Sequence, residues 1–124
     1  MSSIRVVVAD DAADLRGVIR MLLDLEDDFE VVGEARDGGE AVRLSAEHQP
    51  DLVVLDVAMP VLDGLAALEH VRAAAPAAKV VMFSADDSAT VIDRARESGA
   101  AGYIDKATGV VDLVERLRKV CLPD

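Results

Sequence analysis

An α/β domain built on a parallel sheet is the fold class this sequence predicts, on three observations. Five short apolar runs, each containing Val or Ile, recur along the 124 residues, and segments of helical period separate them. The chain is 52% apolar, yet it holds only two Phe, one Tyr and no Trp. A core made largely of thin Val and Ala side chains suits helices packed on both faces of a buried parallel sheet. The length is that of one domain.

The elements follow in order. Ile4–Ala9 is the first strand, and Leu15, Val18, Ile19 and Leu22 then fall at i, i+3, i+4 and i+7, one face of a helix. Phe29–Val32 is the second strand; Gly38-Gly39 opens a second helix that ends near His48, with Pro50 beyond it. Leu52–Leu55 is the third strand, and Asp63 precedes a Leu65, Leu68, Val71 helix that stops before Pro76. Val80–Phe83 is the fourth strand. Asp86-Asp87-Ser88 opens the next helix, which Gly99 closes as a left-handed cap. Ala101–Ile104 is the fifth strand, and Val110, Leu113, Val114, Leu117 and Cys121 form the stripe of a last helix that ends at Leu122-Pro123-Asp124. No internal repeat, low-complexity tract or linker interrupts this pattern, so residues 1–124 read as one domain.

Composition excludes several function classes. Thirteen Lys and Arg against 24 Asp and Glu leave a formal charge of −11, the wrong sign for a face that neutralises nucleic-acid phosphates. A single cysteine, Cys121, rules out an intrachain disulfide and a multi-cysteine metal site. No stretch approaches the roughly 18 uncharged apolar residues of a membrane span, and Met1-Ser2-Ser3-Ile4-Arg5 lacks a signal peptide's apolar stretch. A cytoplasmic domain is the expectation.

In a doubly wound sheet, ligands bind beyond the carboxyl ends of the strands, where the strand order reverses. The strand ends here are Asp10-Asp11 for the first, Glu34 for the second, Asp56 for the third, Ser84-Ala85 for the fourth and Asp105-Lys106 for the fifth. In a flavodoxin-like (βα)5 sheet of order 2-1-3-4-5, the first and third strands are neighbours. Three carboxylates then converge in one crevice, flanked by a hydroxyl and an ammonium. Like charges that close oppose each other's ionisation. A hard divalent cation such as Mg²⁺, which prefers oxygen ligands and keeps several waters, resolves the conflict. A carboxylate beside such an ion can attack phosphorus to give an aspartyl phosphate, and Lys106 and Ser84 supply charge and a donor for the transferred group's oxygens.

These residues resemble a known family over essentially the whole chain. Asp10-Asp11, Asp56 within Leu52-Val53-Val54-Leu55-Asp56-Val57-Ala58-Met59-Pro60, Asp63-Gly64, Phe83-Ser84-Ala85 and Gly102-Tyr103-Ile104-Asp105-Lys106 look like a response-regulator receiver domain. Val31-Val32-Gly33-Glu34-Ala35 and Gly99-Ala100-Ala101-Gly102-Tyr103 look most like its NarL/FixJ-type branch. The resemblance implies that Asp56 accepts phosphate from a histidine kinase's or phosphotransfer protein's phosphohistidine. It implies Mg²⁺, with Mn²⁺ as a substitute, held by Asp11 directly, Asp10 largely through water, Asp56 and the backbone carbonyl of Ala58. Lys106 and Ser84 would bond the phosphoryl oxygens. Ser84 with Tyr103 would report the change to the surface of the fourth helix, fifth strand and fifth helix. That face, or the first and fifth helices, would carry any homodimer contact. The chain departs from the common pattern at Ala58, which lacks a side chain able to steer water, at Asp105, where an apolar residue is usual, and at Ala107, where many relatives carry proline.

The implied function is therefore a phosphorylation-activated switch that catalyses its own phosphorylation and dephosphorylation without turning over an external metabolite, and that acts on a partner or an output domain. Three other classes compete with it. A Mg²⁺-dependent aspartyl-phosphate phosphohydrolase needs an acid/base Asp at the position of Ala58. A flavodoxin-type binder of a small molecule needs a glycine- and hydroxyl-rich loop after the first strand, where Asp10 and Asp11 stand. A phosphate-independent pseudo-receiver is disfavoured by the full set of Asp10, Asp11, Asp56, Ser84 and Lys106. His48, His70 and Cys121 read as bystanders, the histidines on helix surfaces and the thiol on the last helix's inner stripe.

Overall fold

The computed structural model describes residues 3–122; Pro123 and Asp124 of the expected helix end lie outside them. The elements are β1 (Ile4–Ala9), α1 (Ala13–Asp24), β2 (Phe29–Ala35), α2 (Gly38–His48), β3 (Leu52–Leu55), α3 (Gly64–Ala74), β4 (Lys79–Ser84), α4 (Ala89–Glu97), β5 (Gly102–Asp105), a 3-10 turn (Lys106–Thr108) and α5 (Leu113–Cys121). All four pairings are parallel, and the sheet order is β2-β1-β3-β4-β5, as expected from the sequence.

Alternation along the strands builds two apolar layers. Val7, Ala9, Val53, Leu55, Val80 and Met82 face α2, α3 and α4, where Ala41, Leu68, Val71 and Ala95 meet them. Val6, Val8, Leu52, Val54, Val81 and Phe83 face the other way, against Ile19 and Leu23 of α1 and Leu113 and Leu117 of α5. Each fully buried Val or Leu stabilises the fold by roughly 1.5–3 kcal/mol, so the central strands tolerate charge at their carboxyl ends. Three helices begin on side-chain caps: the backbone N–H groups of Glu40, Ala66 and Val91 donate to Asp37, Asp63 and Ser88 at 2.8, 3.0 and 3.3 Å. Gly99 takes φ +97°, the left-handed conformation that ends α4.

The structure differs from the sequence reading in four places. β2 runs on to Ala35: Val32 is skipped between the Val6–Val31 and Val7–Gly33 pairs, and that shift keeps Gly33, Glu34 and Ala35 on the ladder. Leu23, one turn beyond Ile19, is the buried leucine of α1, whereas Leu22 is only half-buried. Ser84 and Asp105 face each other as the last ladder pair of β4 and β5 rather than following their strands. Val110 precedes α5, which starts at Leu113. Among the described residues no helix is long and apolar enough to cross a membrane.

Candidate functional site

The carboxyl ends of β1, β3 and β5 bring four charged side chains together. Asp10, Asp11 and Asp56 each offer a carboxylate oxygen, and these oxygens lie within 4.8 Å of one another. Lys106 reaches between two of them, with Nζ 2.8 Å from Asp10 Oδ2 and 3.1 Å from Asp56 Oδ2. Asp10 is 2% exposed and Asp56 4%, so both carboxylates are buried. Asp11 stands exposed at the mouth.

Local structure holds each group in place. Asp10 Oδ1 accepts the N–H of Ala12 at 2.9 Å, which fixes the entry to α1 and leaves Oδ2 to Lys106. Behind Asp56, the α3 N-terminus comes so close that a Cβ on Gly64 would lie 2.0 Å from the Asp56 carbonyl oxygen. Only glycine fits there. Lys106 enters from the 3-10 turn after β5, its ammonium 5.9 Å from the centre of the Phe83 ring.

Charge and burial compete at this site. Burial, the largest influence, pushes the Asp56 carboxyl above the ordinary carboxylate range; the Lys106 hydrogen bond works against it, and the Asp10 charge adds to it. For Lys106, burial disfavours the ammonium, but its bonds to Asp10 and Asp56 together outweigh that and hold its pKa above the usual lysine value. One ammonium against three carboxylates leaves the crevice short of positive charge. Its donors are hard oxygens, the ligands that suit Mg²⁺. The set fits such an ion.

Ser84 and Tyr103 meet at the β4–α4 loop. Ser84, 1% exposed, accepts the Asp86 N–H on Oγ at 3.2 Å. The Tyr103 hydroxyl donates to the Asp86 carbonyl, so both side chains grip one residue of the β4–α4 loop. Ala58 lies exposed after β3. His70 is exposed on α3, and His48 ends α2 with its carbonyl taken by Arg5 at 2.7 Å. Cys121 is half-buried at the end of α5, and burial raises its thiol pKa.

Two residues of this neighbourhood escaped sequence reasoning. Arg16 of α1 donates from a terminal guanidinium nitrogen to the Asp10 carbonyl at 2.7 Å, while its Nε lies 3.4 Å from Glu34. Arg20 pairs with the same Glu34 at 2.6 Å. Glu34, the acid at the end of β2, is thereby neutralised by α1 and adds nothing to the crevice. The only sequence signal was two arginines four apart on α1, opposite an acid at a strand end.

Comparison with known proteins adds independent findings. The family described as "Response regulator receiver domain" matches residues 6–118. The chain is 36% identical to the chemotaxis protein CheY of Bacillus subtilis, over 93% of this chain and 95% of that one. It is 41% identical to a protein-glutamate methylesterase/protein-glutamine glutaminase of Caldanaerobacter subterraneus, covering 89% of this chain but only 30% of that protein's length. The signal receiver domain of the putative response regulator NarL from Mycobacterium tuberculosis superimposes with a TM-score of 0.91 at 33% identity, covering 98% of both chains.

Proposed function

The chain belongs to the response regulator receiver domain family of two-component signalling, and on that premise we propose that Asp56 is its phosphoryl acceptor. The donor is the phosphohistidine of a histidine kinase or phosphotransfer protein. A carboxylate oxygen of Asp56 forms the new P–O bond as the P–N bond breaks, and the imidazole leaves with the electron pair. The observation that carries this reading is the buried Asp56 carboxylate held 3.1 Å from the Lys106 ammonium beside two further carboxylates.

The residues divide the work. Asp10, Asp11, Asp56 and the Ala58 carbonyl would hold Mg²⁺, or Mn²⁺ in its place, and the ion would neutralise charge developing on the phosphoryl oxygens. Lys106, already at the Asp56 oxygen, offers its ammonium to one such oxygen, and Ser84 offers its hydroxyl to another. Ser84 then releases the Asp86 N–H, and Tyr103, bound to the same loop residue, passes the change toward α4, β5 and α5. The receiver thus catalyses its own phosphorylation and acts as a cytoplasmic switch on a partner protein or an output domain, with α4–β5–α5 or α1/α5 as the homodimer face and no nucleic-acid contact of its own. Residues 1–124 form this one domain. A phosphohydrolase lacks support, since Ala58 offers no carboxylate two residues after the nucleophile.

Intact-mass spectrometry after incubation with acetyl phosphate and Mg²⁺ tests the assignment. One phosphoryl group is expected on the wild-type chain and none on Asp56→Asn, because an amide is a far poorer nucleophile than a carboxylate. Modification mapped to Ser84, His48 or His70 would overturn it.

A further inference from the structure

Asp105 has no place in the proposed chemistry, and it stands as a charged residue on the last ladder position of β5, opposite Ser84. Its carboxylate does not pair with the neighbouring Lys106, whose ammonium goes to Asp10 and Asp56. Asp105 Oδ1 instead accepts the backbone N–H of Ala107 at 2.8 Å. The same residue's carbonyl accepts the Thr108 hydroxyl at 2.8 Å, and the Lys106 carbonyl accepts the Gly109 N–H at 2.9 Å. Gly109 closes the turn at φ +78°. These three bonds wind Lys106–Thr108 into the 3-10 turn from which the Lys106 side chain enters the crevice.

We propose that Asp105 is a positioning residue for Lys106: by capping the Ala107 N–H it sets the backbone from which the ammonium reaches Asp10 and Asp56. The chain leaves β5 and turns sharply within three residues. An uncapped Ala107 N–H can seek water instead, and the lysine's Cα then gains freedom. A long side chain on a loose backbone spreads its ammonium over a wide volume, whereas the pairs at 2.8 and 3.1 Å require one location. The effect runs through the backbone. A neutral acceptor at position 105 therefore serves as well as a charged one, while an apolar residue does not.

This inference rests on the reading of Lys106 as a phosphoryl ligand, and the experiment separates the two. The rate of phosphorylation by acetyl phosphate with Mg²⁺ is measured at varied donor concentration for wild type, Asp105→Ala, Asp105→Asn, Lys106→Ala and the double variant Asp105→Ala/Lys106→Ala. Loss of a side-chain cap is expected to lower the limiting rate of Asp105→Ala about fivefold. Asp105→Asn, which keeps the Oδ1 acceptor, should restore it. Because Asp105 acts only through the lysine, the double variant should match Lys106→Ala. Asp105→Leu, which suits a strand, is measured in the same way should the alanine variant lose stability. Equal rates for Asp105→Ala and wild type, or a double variant slower than Lys106→Ala by the full Asp105 factor, would overturn the positioning role alone. An Asn variant as slow as the Ala variant would also overturn it, by showing that charge and not the cap matters. A Lys106→Ala chain as fast as wild type would overturn the lysine's role first, and this inference with it.

Discussion

Replacing Asp11 with asparagine should make the metal-free domain more stable and abolish its response to Mg²⁺. Asp11 shares the crevice with Asp10 and Asp56 but pairs with no cation there, since Lys106 is taken by the other two. Its removal therefore relieves two repulsions and gives up only the longer-range attraction of Lys106, which offsets about one of them. Asp11 is exposed, so water's dielectric constant applies, and at the 4.8 Å that bounds these oxygens each repulsion is worth about 0.9 kcal/mol. Allowing for Lys106 and for salt screening, the variant should gain up to about 1 kcal/mol, or roughly 4 °C in melting temperature for a domain of this size. Wild type should instead gain about 1.4 kcal/mol from Mg²⁺ at ten times its dissociation constant. The assay is a thermal melt with Mg²⁺ against one with chelator, at matched ionic strength. A variant that melts lower than wild type without metal would refute the charge argument. An unchanged Mg²⁺ response in Asp11→Asn would show that the ion binds elsewhere.

Three further predictions rest on other contacts. The Asp56 pKa is raised in the folded state, so between its ordinary value and the raised one the folded chain holds more protons than the unfolded chain. Metal-free stability should accordingly fall as pH rises through that window, and the difference between Asp56→Asn and wild type, followed by urea melts from pH 4 to 7, should widen in the variant's favour. Gly64→Ala forces a Cβ to 2.0 Å from a backbone oxygen of Asp56 and should cost about 1–3 kcal/mol in urea unfolding; an unchanged midpoint would disprove the close approach. Arg118 of α5 binds Asp28 at 2.8 and 3.1 Å and Glu26 at 2.6 Å, and lies 5.6 Å from the Phe29 ring centre. Arg118→Ala should destabilise at neutral pH by about 1 kcal/mol. Its hydrogen bond lowers the Asp28 pKa, so this contribution is present above the ordinary carboxylate range and fades as pH falls through the lowered value; a loss independent of pH would assign it to packing alone.

What the sequence made legible divides along a physical line. The strands could be read because Val53-Val54 or Val80-Val81 is buried on both faces and needs no partner to be recognised. The convergence of Asp10, Asp11 and Asp56 followed from strand order, a property of topology. Contacts that depend on how two elements approach were not legible. Nothing in Asp63-Gly64 announces that α3 rests against the Asp56 carbonyl, and nothing in Arg16 or Glu34 alone shows that one holds the Asp10 carbonyl and the other is silenced by α1. Leu22 and Leu23 differ by one step of about 100° around α1, a rotation that periodicity over four positions is too short to resolve. Asp105 is a further case. Its residue type marks it only as a departure from an apolar position, because the sequence cannot say whether a carboxylate faces a cation or a backbone N–H.

The distribution of charge at the mouth explains why so acidic a site is compatible with a stable fold. Four strand ends bring five acids near the same edge, yet each is handled separately. Glu34 is paired with Arg20, at 2.6 Å, and faces Arg16. Asp105 is turned onto its own turn, and Asp10 divides its oxygens between Ala12 N–H and Lys106. Only Asp11 and Asp56 remain undercompensated, one exposed and one buried with a raised pKa. The repulsion is thus felt among the three carboxylates that would share a cation, and its cost of a few kcal/mol at most falls on β1 and β3. Those strands are the most deeply buried in the sheet, flanked on both faces by apolar layers. A charge change at Asp56 is therefore borne by the part of the molecule least able to unfold locally. Relief must come through what surrounds the mouth: the Lys106 turn and the β4–α4 loop held by Ser84 and Tyr103. These exposed segments are held by a few hydrogen bonds worth about 1 kcal/mol each, comparable to the perturbation itself, and so the proposed switch would move there.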